Sequence, residues 1–306
     1  MPSIETNELT KRYGDTVVVD DLDLEVRAGE VFGFLGPNGA GKSTTIDMLL
    51  DFVRPTSGEV RVLGHDPRTE SVAVRDRIGI LPEGYALYDR RTARQHVAFA
   101  VELEDADDDP DAVLDRVGLA DDADRPVGGF SKGMRQRLAL GMALVDDPDL
   151  LVLDEPSAGL DPSGIRELRD IIRTEADRGA TVFFSSHVLE QVEAVCDRVG
   201  ILREGELATV DTIDNLRERA GGASTLSLTV DTVPESSVLE AVDGVRDVTV
   251  DGNTLRVACA DPSVKAAVIA AVEDAGATVE DIDVEEMSLE SVFETYTERT
   301  PSEVEA

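Results

Sequence analysis

Three short segments of this sequence carry residue types, at the right spacing, to handle a polyphosphate. Gly36-Pro37-Asn38-Gly39-Ala40-Gly41-Lys42-Ser43 fits the pattern G-x-x-x-x-G-K-[ST], with Thr44 next in line. Glycines let backbone N–H groups turn inward around phosphate oxygens, an ammonium such as that of Lys42 reaches the β- and γ-phosphates, and the Ser43 hydroxyl is placed to bind Mg²⁺. The second segment, Leu150-Leu151-Val152-Leu153-Asp154-Glu155, is an apolar strand that ends in two acids. Alone, that pattern is more often a strand meeting a solvated loop. Paired with a phosphate loop, it makes Asp154 the candidate to hold Mg²⁺ through water and Glu155 the candidate to polarise an attacking water. The third segment sets Ser131 and Gly133 at the head of a helical stretch. That is a good anion site and equally an ordinary capped helix.

These groups must be held by a sheet. Val31 to Leu35 is a buried-strand pattern running straight into the glycine-rich loop, and beyond Ser43 the sequence turns helical. Leu150 to Leu153 and Thr181 to Phe184 are further apolar strands, separated by a helix through Ile165 to Glu175. Strand, helix, strand in this order indicates a parallel sheet in an α/β fold. The first 30 residues alternate instead in short β-like runs, among them Thr16 to Val19 and Leu22 to Val26. Residues 92 to 146 read as mostly helical, with Asp109-Pro110 as a start, Gly118 as a stop and Ser131 as a cap. Ala220-Gly221-Gly222-Ala223 breaks the pattern as a linker. The stretch after it reads β-α-β-β-α-β, a ferredoxin-like order, with a hairpin at Asp251-Gly252-Asn253 and a last helix from Ser288.

Composition narrows the function classes. Asp and Glu number 64 against 29 Lys and Arg, for a formal net charge of −35. Such a surface repels nucleic-acid phosphates and anionic lipid headgroups. Lysine is confined to Lys11, Lys42, Lys132 and Lys265. Acids spread along the whole chain with so little lysine look like a protein from a salt-loving organism, where molar salt screens self-repulsion. No apolar run approaches the roughly 18–20 residues needed to span a bilayer, and the N-terminus lacks a secretory pattern. The expected location is therefore cytoplasmic and peripheral, without direct membrane insertion. Cys196 and Cys259 lack metal-ligand spacing and read as buried free thiols.

The segments together resemble the ATP-binding cassette family over about residues 1–220. Phe130-Ser131-Lys132-Gly133-Met134-Arg135-Gln136-Arg137 is similar to that family's signature motif, and Ser157-Ala158-Gly159-Leu160-Asp161 to the loop through which its subunits communicate. The resemblance implies a P-loop NTPase core with an antiparallel β subdomain and a helical subdomain at about 85–147, followed by an accessory domain over 224–306. It implies ATP and Mg²⁺ as ligands, and a homodimer in which Ser131 and the Gly133 backbone contact the γ-phosphate held by the other copy. It also implies a separate integral membrane permease and transport, with export favoured. His187 stands where the family has a γ-phosphate-sensing histidine, and Tyr13 where an aromatic stacks on adenine; a core tyrosine is the other reading. Glu83, in Leu81-Pro82-Glu83, replaces a glutamine that touches Mg²⁺ and the permease. It is either a hard-cation ligand or a solvated loop acid. Lys132 and Met134 depart from the commonest signature. Ser288-Leu289-Glu290-Ser291-Val292-Phe293 resembles the end of accessory domains on exporter-type cassettes. A soluble cassette ATPase not coupled to transport is the alternative function class.

The acid excess generates a direct expectation: the melting temperature rises steeply between low and molar KCl. A melting temperature indifferent to salt would refute the reading of the charge.

Overall fold

A computed structural model describes residues 1–219, 224–260, 263–285, 289–290 and 292–293. The proposed linker at 220–223, Pro262, Ser288 and Ser291 lie outside the described residues.

Alternation builds the first layer. In β1 (Pro2–Tyr13) and β2 (Thr16–Arg27) the apolar members Ile4, Leu9, Leu22, Leu24 and Val26 are buried. The two runs expected at 16–26 form one strand. The acidic pair between them is absorbed as a bulge: Asp21 takes φ +43°, and its N–H donates to Thr10 Oγ1 at 3.1 Å. The register with β1 shifts at that point, as an inserted residue requires. β3 (Val31–Leu35), buried throughout, leads through the glycine-rich loop to α1 (Lys42–Leu49). β4 (Ser57–Val62) pairs with the other edge of β1, completing an antiparallel sheet in the order β2-β1-β4.

After α2 (Ser71–Arg75) and β5 (Ile78–Leu81) comes the helical region: α3 (Ala93–Leu103), α4 (Pro110–Arg116) and α5 (Lys132–Ala143). Each helix has its own stop or start. Asp109 caps α4 with Pro110 at its first position, Gly118 follows it at φ +65°, and the Ser131 side chain accepts from Met134 N–H at 3.2 Å. The chain then runs through β6 (Leu150–Asp154), α6 (Pro162–Asp177), β7 (Thr181–Ser186), α7 (Leu189–Glu193), β8 (Arg198–Arg203) and β9 (Glu206–Asp211).

The second sheet has the order β5-β6-β7-β3-β8-β9, parallel except for the β8–β9 hairpin. Leu35 pairs with Ser186 and Asp154 with Ser185, so β3, β6 and β7 end together at one edge. Phe183 locks the centre, its ring 5.9 Å from Phe32 and 5.2 Å from Phe34. Each such ring contributes about 1.5–3 kcal/mol by burial.

Contacts divide the chain into two compact units, Met1–Asp211 and Thr212–Ala306. The second holds α8 (Ile213–Arg219), β10 (Ser224–Val230), α9 (Ser236–Glu240), β11 (Val245–Asp251), β12 (Thr254–Cys259), α10 (Val264–Asp274) and β13 (Val279–Glu285). Its antiparallel sheet runs β11-β12-β10-β13, the β-α-β-β-α-β arrangement expected. Leu226, Leu228, Leu255, Val257 and Val268 form its own core. Both cysteines are buried thiols, and burial pushes the Cys196 thiol well above its usual range.

An ion-pair cluster ties the helical region to the sheet layer. Arg116 on α4 donates through Nε and Nη2 to the Glu175 carboxylate on α6 at 3.1 and 2.6 Å. The Glu175 side chain is only 3% exposed. Glu175→Ala leaves two donors of the half-buried Arg116 guanidinium without their carboxylate, while Nη1 keeps the exposed Asp147. The expected loss is about 3 kcal/mol, measured as a lowered urea midpoint with unchanged slope; an unmoved midpoint would show that the pair does not hold the two parts together.

Candidate active site

The glycine-rich loop is shaped by what crowds behind it. Gly41 takes φ +110°, and a Cβ there would lie 2.7 Å from the Val18 carbonyl oxygen; at Gly36 it would meet the Leu202 carbonyl oxygen at 2.6 Å. Only glycine fits both approaches. The loop is also pinned from outside, because Gly205 N–H donates to the Ala40 carbonyl at 3.0 Å. It curls around the start of α1, whose free N–H groups and dipole favour an anion.

Lys42 is the charge inside this curl. Its ammonium is buried, donates to the Gly36 carbonyl at 2.7 Å and sits 3.5 Å from Glu155 Oε1. Glu155 stands directly after β6 with φ +47°, a conformation costing about 1–3 kcal/mol for a non-glycine residue. Its N–H donates to Ser185 Oγ at 3.0 Å, and the same hydroxyl donates to Asp154 Oδ1. Ser185 thereby fixes both acids at once. The second Glu155 oxygen is 2.8 Å from His187 Nδ1. Lys42, Glu155 and His187 are thus one connected set drawn from three elements.

They line a cleft of about 380 Å³ with Pro37, Asn38, Gly39, Gly41, Ser43, Thr44 and Glu83. Gly36, Ala40 and Asp154 are buried. Burial and the neighbouring Asp154 charge hold the Asp47 carboxyl above its usual range. Tyr13 is half exposed rather than a core residue and does not line the cleft; Lys11 Nζ lies 4.8 Å from its ring centroid. Ser131 and Gly133 do not line the cleft. They lie at the N-terminus of α5.

The oxygen donors at hand, Ser43 hydroxyl with Asp154 and Glu83 carboxylates, suit a hard cation. Among the described residues no group of three or more His, Cys, Asp or Glu converges as a metal cage. Sequence reasoning missed three residues here. Ser185 was visible only as part of a strand, Gln191 bonds Ser157 Oγ across the cleft edge, and Val18 forms a wall. Side-chain partners far apart in sequence leave no local pattern.

The family model described as ABC transporter matches residues 19–158. The linearmycin resistance ATP-binding protein of Bacillus subtilis is 33% identical, over 97% of this chain and 99% of its own length. The chain belongs to the ABC transporter ATP-binding proteins. The bacitracin transport ATP-binding protein of Bacillus licheniformis is 42% identical, over 71% of this chain and 72% of that protein. A solved ATP-binding subunit of an ABC transporter superposes with TM-score 0.64 at 28% identity, covering 71% of this chain and 93% of the other. A bacterial Atm1-family ABC exporter with ATP bound gives 0.64 at 26% identity, over 72% of this chain and 40% of that one. This ABC ATPase binds and hydrolyses ATP.

Two substitutions separate binding from chemistry. Lys42→Ala should abolish hydrolysis by the purified protein. Glu155→Gln should slow it by about 10²–10⁴-fold, the range for losing a general base, while ATP retention on filters persists. Wild-type turnover in either variant would remove that residue from the site.

Proposed function

We propose that two copies close on two ATP molecules and that their opening and closing drives export through a separate membrane permease. The observation that carries this reading is the separation within one chain. The cleft holds Lys42, Glu155 and His187, while Ser131 and Gly133, the second anion site, line none of it. Two chains placed head to tail would complete two sites, each with one chain's cleft facing the other's helix end.

In that arrangement the N–H groups of the loop and Lys42 bind the phosphates, and Tyr13 stacks on adenine, worth roughly 1–3 kcal/mol. Ser43, and Asp154 through water, would hold Mg²⁺, with Glu83 at the cleft wall as a further oxygen ligand. The ion, when bound, neutralises charge on the β- and γ-oxygens. Glu155 orients the attacking water and accepts its proton. His187 keeps that carboxylate aimed and reports on the γ-phosphate. Hydrolysis removes the group that both copies grip, and the pair separates.

The permease has a plausible seat in chemical terms. An apolar groove of about 460 Å³ includes Phe52, Ile80, Leu87, Phe99 and Leu103 in its wall. Pro82 lines the groove and its neighbour Glu83 lines the ATP cleft. A short apolar helix of the permease lodged there would sense nucleotide through two adjacent residues. Among the described residues no helix is long and apolar enough to cross a membrane, which accords with a path supplied by another chain. The names of the relatives, which speak of bacitracin transport and linearmycin resistance, favour export. We assign residues 1–220 to the motor and 224–306 to an accessory domain.

Glu155→Gln binds but barely hydrolyses, so it should accumulate as a homodimer with Mg-ATP and separate with ADP. Light scattering in molar KCl reads the mass directly. A single-copy mass under both nucleotides would overturn the homodimer.

A further inference from the structure

The phosphate loop follows β3, and β8 runs beside that strand, with Leu35 paired to Ile201. β8 continues past this point, turns at Glu204 and Gly205 and returns as β9, Arg203 pairing with Glu206. Both turn residues take positive φ, +50° and +91°, the two-residue turn whose twist suits a hairpin. This turn lands on the phosphate loop. Gly205 N–H donates to the Ala40 carbonyl at 3.0 Å, and the Gly205 carbonyl accepts from Asp20 N–H at 2.9 Å. One residue therefore joins the loop to the bulge in β2. A Cβ on Gly205 would lie 2.7 Å from the Val18 carbonyl oxygen. The hairpin alone would accept asparagine, which tolerates positive φ; the approach to Val18 requires glycine.

The consequence lies in one peptide plane. The Ala40–Gly41 bond is trans, so its C=O and N–H point to opposite sides. Gly205, which does not line the cleft, holds the Ala40 carbonyl; Gly41, which does line it, has its N–H aimed the other way. The Ala40 N–H is engaged within the loop, donating to the Pro37 carbonyl at 3.1 Å.

We propose that Gly205 is a positioning residue for ATP binding: the turn after β8 brackets the phosphate loop against β2 and keeps the Gly41 N–H directed at the phosphates. This rests on the loop at 36–43 receiving those phosphates. Lys42, Glu155 and His187 are carried by α1 and by the ends of β6 and β7, not by the turn. The bracket therefore sets nucleotide affinity and leaves the chemical step alone. Coupling is reciprocal, so bound nucleotide also steadies a turn that it does not touch.

The test uses the full chain in molar KCl and compares Gly205→Asn with Gly64→Asn. Gly64 takes φ +83°, and a Cβ there meets nothing within 4 Å, so this control imposes similar backbone strain without displacing the bracket. Gly205→Asn should raise the ATP dissociation constant and KM about tenfold or more, the scale of a hydrogen bond to a charged group, with kcat retained. Gly64→Asn should change neither. In the wild type, Mg-ADP should slow hydrogen exchange at 203–207 several-fold. Unaltered ATP affinity in Gly205→Asn, equal losses in the two variants, or a loss confined to kcat overturns the bracket. Should Gly205→Asn fail to fold, the wild-type exchange decides: no slowing at 203–207 with Mg-ADP overturns it as well. Failure of the loop assignment itself would appear instead as persisting hydrolysis by Lys42→Ala.

Discussion

Glu155 sits with one carboxylate oxygen 3.5 Å from Lys42 and the other 2.8 Å from His187, and the geometry of the ATP cleft depends on that double engagement. Lys42 begins α1, Glu155 follows β6 and His187 follows β7, so the contact exists only because three parallel strands end at one edge. Parallel pairing demands long crossovers, and each crossover here contributes to the site: the loop and α1 after β3, the turn and α6 after β6, α7 after β7. The polar side chains of these strands lie at their ends, Thr181 at the start of β7 and Asp154, Ser185 and Ser186 at the far edge, which is why the apolar centres can be buried on both faces. Ser185 is the exception that proves useful. By accepting from the Glu155 N–H and donating to Asp154 it satisfies a buried carboxylate and stabilises a left-handed residue with one hydroxyl.

Charge is distributed with a division of labour between the two basic residue types. Arginines are engaged in pairs with the abundant acids: Arg94 with Asp111 and Asp124, Arg135 with Asp89, Arg173 with Asp197, Arg198 with the buried Glu30. Their planar forks match carboxylates and hold structure. Lysine is used differently: Lys42 is enclosed in the phosphate loop, Lys132 stands exposed at the head of α5, and Lys11 donates to the Arg54 carbonyl beside the Tyr13 ring. A compact ammonium on a flexible stem can change partner as phosphate arrives or leaves, which a bidentate guanidinium does less readily. Molar salt would screen the exposed pairs and leave the enclosed Arg116–Glu175 and Arg198–Glu30 contacts largely intact.

Local rules made the phosphate loop, the caps at Asp109 and Ser131, the hairpin at Gly252 and the order of elements in the second unit readable before any coordinates. Each of these depends on residues within about four positions of one another, as caps and turns do. The acids Asp20-Asp21 separate two β-like runs in the sequence, yet they are a bulge within one strand, because the Thr10 hydroxyl on the neighbouring strand accepts the Asp21 N–H. Ser185 and Gln191 were illegible for the same reason: their partners lie 30 to 34 residues away. Tyr13 shows the middle case. The sequence placed it near the site, but its half-exposed ring became visible only once β1 and β2 were paired.

Adjacent residues facing two different cavities impose a mechanical constraint. Pro82 belongs to the apolar groove and Glu83 to the ATP cleft, and both follow β5, which is paired to β6 up to Leu81. Proline fixes its own φ, so Pro82 has one soft torsion fewer with which to absorb a displacement of the groove wall before it reaches Glu83. The loop is tethered on its other side by Tyr85, whose hydroxyl donates to the buried Gln136 of α5 at 2.9 Å. A partner seated in the groove, as proposed above, would therefore pull on two things together: the Glu83 carboxylate that lines the cleft, and the helix whose head carries Ser131 and Lys132. That shared tether explains why binding at the groove and closure around ATP would be linked reciprocally, since any ligand favouring one position of α5 must favour every contact made in that position.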